Sequence, residues 1–211
     1  MTTPTLVLVS GRAASGKTSL SRALASRLSL PLLSKDTIKE ILFDGLGPGD
    51  RIWSEKLNVP IFNILLYVLE QHFVAGASVI LETPYDDGFP RQAFSDLQDR
   101  FGCRVIQLMC FARTDILIQR FENRIGAPER HPGHNDADAL EEYKESIRET
   151  SKMQPLDLRG QVFEIDTSDF TAVDMDAITA AVRAVISTKS SGSPVKLSPR
   201  YLKLLARLRR S

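Results

Sequence analysis

Cysteine is scarce in this chain: two residues in 211, Cys103 and Cys110, both near one predicted strand and in no metal-like spacing. They are expected to be reduced thiols in the core of a cytoplasmic protein. Histidine occurs three times. His131 and His134 lie close together around "PG", but with no cysteine or third histidine beside them a metal centre is not expected, and the readings left are lid contacts to phosphate or acceptor or ordinary loop residues. His72 falls on the apolar flank of a helix and is expected to be structural. Long apolar runs are missing, so no membrane-spanning segment is expected. The N-terminus, "MTTPTLVLVSG", has neither the basic region nor the apolar length of a secretory signal. No N-K-x-D motif occurs, which argues against a GTPase switch. The formal "DGLG" (44–47) follows a helix rather than a strand.

Charge of one sign is also in short supply, since 27 basic and 26 acidic residues leave a net +1. The distribution is uneven. Residues 187–211 hold seven cations and no acid, so the chain before them has 20 basic and 26 acidic groups, a net −6. An acidic body argues against a nucleic acid as partner. The stretch 188–211 reads as a linker, "STKSSGSP", followed by a basic amphipathic helix with Leu202, Leu205 and Leu208 at steps of three. That helix is expected to dock on the same chain or on a second copy, with binding to an anionic membrane or nucleic acid, or disorder, as the alternatives. Residues 1–187 read as one domain.

The rest of the chain alternates short apolar runs with amphipathic stretches. Strands are expected at 5–9, 31–34, 78–82, 104–111 and 161–166. Helices are expected after residue 16, over 36–47, from Asn58 to Gly76, over 89–102, from 114, through about 150, and over 174–187. Asp36 or Thr37 is the expected N-cap of the second helix, with Gly45 beyond its end. The long helix should bury Ile61, Ile64, Leu65, Val68, Leu69 and Phe73. The helix after Phe89 should bury Phe89, Ala93, Leu97 and Phe101. Such alternation implies an α/β fold, with a parallel sheet covered by helices on both faces.

The most informative stretch is "SGRAASGKTSL" (10–20). Gly11, Gly16, Lys17 and Thr18 match G-x-x-x-x-G-K-[ST], the Walker A pattern, between a predicted strand and a predicted helix. Glycines let the backbone wrap closely round an anion. The N–H groups of the following helix face it with the positive end of the helix dipole. Gly11, Ala13, Ala14, Ser15, Gly16, Lys17, Thr18 and Ser19 are therefore the candidate nucleotide contacts. Lys17 is expected to be exposed and to reach the β- and γ-phosphates, with the Thr18 hydroxyl on Mg²⁺.

That loop, "LLSKDTIKE" about twenty residues on, "VILE" closing the third strand and an arginine-rich segment after the fourth resemble the small P-loop kinases. More narrowly they resemble the group containing chloramphenicol phosphotransferase, zeta toxin and the kinase domain of polynucleotide kinase. The resemblance spans roughly residues 5–186. It implies the P-loop nucleoside triphosphate hydrolase fold, with a five-stranded parallel sheet and a helical lid at about 113–150. It also implies Mg-ATP as donor and a hydroxyl as acceptor. Asp36 would be the base that takes the acceptor's proton, or else a helix cap. Glu82 would serve the metal side or the acceptor. Arg120 and Arg124, one helical turn apart, and Arg130 would clamp the phosphates from the lid, unless they pair with Glu122, Glu141 or Glu142. Lys39 stands where polynucleotide kinases have arginine, which favours a small-molecule acceptor over a 5′-hydroxyl nucleic-acid end. A non-catalytic ATP-binding module is the remaining alternative. Asp86, Asp87, Phe43 and Trp53 are candidate walls of the acceptor pocket, with turn or core packing as the plainer reading. Antibiotic, nucleotide sugar, sugar and amino alcohol all remain open as acceptors.

Overall fold

Five strands form one parallel sheet: β1 (Thr5–Gly11), β2 (Leu32–Ser34), β3 (Val79–Glu82), β4 (Arg104–Phe111) and β5 (Gln161–Asp166), in the order β2-β3-β1-β4-β5. This computed structural model describes residues 3–47, 49–85 and 91–187. All of β1 is buried, as an unbroken apolar run between two helical layers must be. Its register runs Leu6 opposite Val79 on one side and Val105 on the other.

Alternate residues of the strands face opposite layers. Leu6, Leu8, Val79 and Leu81 pack under α2 (Lys35–Leu46), α4 (Asn58–Val74) and α5 (Arg91–Phe101). Val7, Val9, Ile80 and Ile106 pack under α1 (Lys17–Leu28) and α8 (Met175–Ser187). A third, smaller core joins α6 (Thr114–Arg124) to α7 (Asp136–Glu149) through Leu117, Phe121, Tyr143 and Ile147, with Ala13 and Ala14 packed against it.

Several local expectations need correction. The N-cap of α2 is Ser34, whose hydroxyl accepts from the Thr37 amide at 3.4 Å. Asp36 and Thr37 lie inside the first turn, and the helix runs past Gly45 to Leu46, with Gly47 at φ 93° beyond it. A short helix, α3 (Arg51–Lys56), is capped by Asp50, whose carboxylate accepts from the Trp53 amide at 2.8 Å. On α4 the buried face is Ile61, Phe62, Leu65, Leu69 and Phe73, and Ile64 turns to solvent. On α5 it is Phe94, Leu97, Gln98 and Phe101. Phe89 and the tail 188–211 lie outside the described residues, as do Asp86 and Asp87.

Among the described residues, Arg51–Val74 is long and apolar enough by length and composition to cross a membrane. Here it is two helices separated by a turn at Leu57, and α4 lays its apolar face on the sheet core. The two cysteines are buried and unpaired, and burial pushes each thiol up to about 12. His72 bonds through Nδ1 to the Val68 carbonyl, one turn back on its own helix, as a structural histidine does.

Candidate active site

At the carboxyl end of β1 the chain turns into α1 through residues 12–16. Gly11 has φ 154°, and a Cβ there would stand 2.3 Å from the Cys110 carbonyl oxygen and 2.5 Å from Ser15 Oγ. Backbone that close has little room to yield. Gly11→Ala is expected to cost about 3 kcal/mol by overpacking, which lowers the melting temperature of a chain this size by roughly 6–12 °C. A thermal melt by circular dichroism reads this directly. Gly16, at φ 77°, caps α1 with no side-chain hydrogen bond to its first-turn amides. Those N–H groups and the positive end of the helix are thus available to an anion.

A cavity of about 450 Å³ opens over this turn. Its walls are Ala14, Gly16, Lys17, Thr18 and Ser19 from the loop and the start of α1, Asp36 from α2, Arg120 and Arg124 from α6, Arg130 from the segment between α6 and α7, and Phe170. Three expected contacts are not among the wall residues. Gly11 is spent on the turn, Ser15 presents its carbonyl to the Thr167 hydroxyl at 2.7 Å, and the Ala13 carbonyl accepts from the Tyr143 hydroxyl at 2.6 Å. Lys17 is not exposed as expected but only 6% accessible. Its stem is packed and its ammonium is held at 3.5 Å from the Arg12 carbonyl and 3.9 Å from Glu82 Oε1.

Glu82 is 1% exposed, which rules out a solvated acid at a strand end. Its two oxygens accept from Ser34 Oγ at 2.6 Å and Thr18 Oγ1 at 3.2 Å. A threonine hydroxyl and a carboxylate, both hard oxygen donors at the foot of the phosphate loop, suit Mg²⁺ with its retained waters. Among the described residues no group of three or more His, Cys, Asp or Glu could hold a metal ion, and His131 and His134 bond to Asp44 and Glu40.

The cap at Ser34 leaves Asp36 free of capping duty. Burial raises the pKa of its carboxyl, but Lys17, then His134, Arg130 and Lys35, attract its charge more strongly. The net result lies below the ordinary 3.8. Asp36 is therefore ionised throughout the neutral range.

The three arginines are held by partners other than Glu122, Glu141 and Glu142. Arg120 donates to the Thr167 and Ser168 carbonyls at 2.7 and 3.2 Å. Arg124 and Arg130 converge on Asp136, the first residue of α7, at 2.8 Å for Arg124 and at 2.6 and 3.1 Å for Arg130. The Arg124 guanidinium also lies 4.1 Å over the Phe121 ring, which stacks on Tyr143 at 4.1 Å. The acids named as alternative partners go elsewhere: Lys144 takes Glu122 and Glu141, and Arg51 takes Glu142. Asp136, Tyr143, Ser34 and Phe170 were not foreseen. Ser34, Tyr143 and Phe170 meet residues far away in the chain, and Asp136 is one of several acids near the arginines, so nothing in their spacing marks them. Phe43 is buried against Gly133 and also lines a cavity of about 350 Å³ with Asp44, His131 and Asn135, and Trp53 packs over Gly49.

Residues 6–150 match the model of a family described as an AAA domain, a span that runs from β1 to the end of the lid helices. The chain belongs to that family. The matched part of the AAA domain contains the phosphate loop, Asp36, Glu82 and all three lid arginines. Among solved structures, a "putative kinase" from Chloroflexus aurantiacus J-10-fl is 37% identical, with TM-score 0.79 over 86% of this chain and 98% of that one. A sugar kinase from Janibacter sp. HTCC2649 shares the fold at 16% identity and TM-score 0.50, over 87% and 94% of the two chains. No curated protein matches the sequence. The AAA domain seen here is thus a P-loop nucleotide-binding fold of kinase type.

Proposed function

We propose that this chain is an ATP-dependent kinase that moves the γ-phosphate of Mg-ATP to a hydroxyl of a small molecule. One observation carries the reading: a single cavity brings together the phosphate loop, an ionised carboxylate from α2 and three arginines from the lid. Phosphoryl transfer asks for little else, because its catalysis is positioning plus stabilisation of charge on the phosphate oxygens. The 37% identical chain described as a kinase supports the same class.

In this reading the amides of α1 and Lys17 hold the β- and γ-phosphates, and Phe170 offers an apolar wall to the base. Thr18 and Glu82 would hold Mg²⁺, which neutralises phosphate charge when bound. Asp36 orients the acceptor hydroxyl and takes its proton. Arg120, Arg124 and Arg130 face the charge that develops on the transferred group. Incubating the protein with Mg-ATP and a panel of hydroxyl compounds, with ADP release as readout, tests the proposal. Product formation only with oligonucleotide 5′-ends, lost steeply as salt rises, would transfer the reading to a nucleic-acid kinase.

Every proposed site residue, Phe170 included, lies before Ser187. A chain ending at Ser187 is therefore expected to bind ATP within threefold of the full chain by calorimetry, while its melting temperature or mass in solution changes. Lost nucleotide affinity would mean that residues 188–211 take part in the site.

A further inference from the structure

The lid does more than cover the phosphate loop: it is tied to the helix that carries Asp36. The Nε2 atom of His134 lies 2.7 Å from Glu40 Oε1. Glu40 is one helical turn beyond Asp36 on α2, so both carboxylates lie on the same face. The His134 side chain is only 6% exposed. Asp36 and Glu40 of α2 and Arg130 of the lid act on its charge. Burial outweighs the acids and lowers its pKa below 6.5, so at neutral pH an uncharged ring donates to Glu40. Next to it, Gly133 is pressed against Phe43 so closely that a Cβ would stand 2.7 Å from the ring. A second tie, His131 Nε2 to Asp44 Oδ1 at 3.0 Å, has its carboxylate largely in water. Exposed pairs of that kind contribute little. The buried one has the stronger claim, because an unmet donor or acceptor there is costly.

We propose that His134 is a positioning residue: its hydrogen bond to Glu40 fixes the turn of α2 bearing Asp36 against the lid arginines, so that base and phosphate clamp are set as one unit. The inference rests on the kinase reading for its catalytic meaning, but the tie itself is testable without an acceptor. A misplacement of about 1 Å at a reacting group is enough to cost roughly 100-fold in rate. The tie therefore matters for turnover more than for nucleotide affinity.

The test compares the full chain with His134→Ala, His134→Gln and His131→Ala. Glutamine is the informative replacement, because its amide nitrogen falls where Nε2 of the ring does. Two readouts are taken: amide hydrogen exchange over residues 36–44 and 127–135 with Mg-ATP bound, and kcat with the acceptor found in the screen. His134→Ala is expected to raise exchange in both segments by about tenfold, the equivalent of one lost hydrogen bond. Its kcat should fall roughly 10- to 100-fold, with ATP affinity held within threefold. His134→Gln should restore both, and His131→Ala should change either by less than threefold. Faster exchange confined to 127–135, with 36–44 as in the parent, would overturn the proposal, as would a glutamine variant no better than alanine. A parent protein that phosphorylates no acceptor would sink the kinase reading instead. The exchange data would then decide the tie by themselves.

Discussion

Lys17→Met is expected to yield a folded protein that turns over no acceptor. Methionine follows the lysine stem and keeps its packing, but it removes the one ammonium at the phosphate loop. Loss of a positioned charge donor costs about 10²–10³ in rate in a site closed to water. In the proposed reading the same group also holds the ground-state phosphates, so ATP affinity is expected to fall as well. Because the ammonium is buried between the Arg12 carbonyl and Glu82, some loss of stability accompanies the change. Glu82 keeps its bonds from Ser34 and Thr18, which confines that loss to a few degrees of melting temperature. The paired measurement is a thermal melt and ADP release with an active acceptor. Undiminished turnover in a folded Lys17→Met protein would defeat the proposed chemistry.

Asp36→Asn should separate binding from chemistry. The amide keeps the size of the side chain and loses its ability to take a proton. The expected drop in kcat is on the order of 10²–10⁴, with ATP affinity little changed. The pH profile adds a second check. Because the Asp36 pKa is held below 3.8, the base stays ionised down to that region. Its protonation cannot produce an acid limb near pH 6, and activity governed by it should be flat from about pH 5 upward. Sign matters for stability too. A carboxyl whose folded pKa is depressed stabilises the fold above its unfolded value, and that stabilisation is lost as pH falls through the folded one. Replacing Asp36 by Asn should therefore remove the part of the acid-induced destabilisation that falls below about pH 4. If ATP affinity collapses while kcat holds, Asp36 serves the nucleotide rather than the acceptor.

What could be read in advance follows from how local each feature is. The phosphate loop was legible because wrapping an anion requires consecutive residues, and Gly11, Gly16, Lys17 and Thr18 are within eight positions of one another. The central strands β1, β3 and β4 were legible because strands covered on both faces are rich in apolar residues; the more exposed edge strands β2 and β5 were legible from their place in the alternation with helices. The cap of α2 was misplaced for a local reason. "SKDT" offers three residues able to cap, and only the end of β2 decides that Ser34 does so. The depth of Lys17 was hidden because it depends on Glu82, 65 positions away, and on the turn at Arg12. The partners of the arginines were hidden for a similar reason. Several acids of equal chemical merit surround them in the sequence, and only the pairing of α6 with α7 brings Asp136 to both Arg124 and Arg130.

The central place of β1 has a consequence for how this chain reaches its structure. The earliest of the five strands in chain order takes the middle of the sheet, and its partners come much later: Leu6 pairs with Val79 and with Val105. Until both β3 and β4 have left the ribosome, the apolar run at residues 6–9 has no lasting neighbour. Pairing across so many residues is slow, because loop closure must be achieved before any contact rewards it. During that wait the N-terminal strand is the part of the nascent chain most open to holding chaperones or to association with other copies. A leucine or valine of β1 exchanged for a smaller apolar residue would thus show its cost first as a lower soluble yield at high expression temperature, before any loss in the purified enzyme.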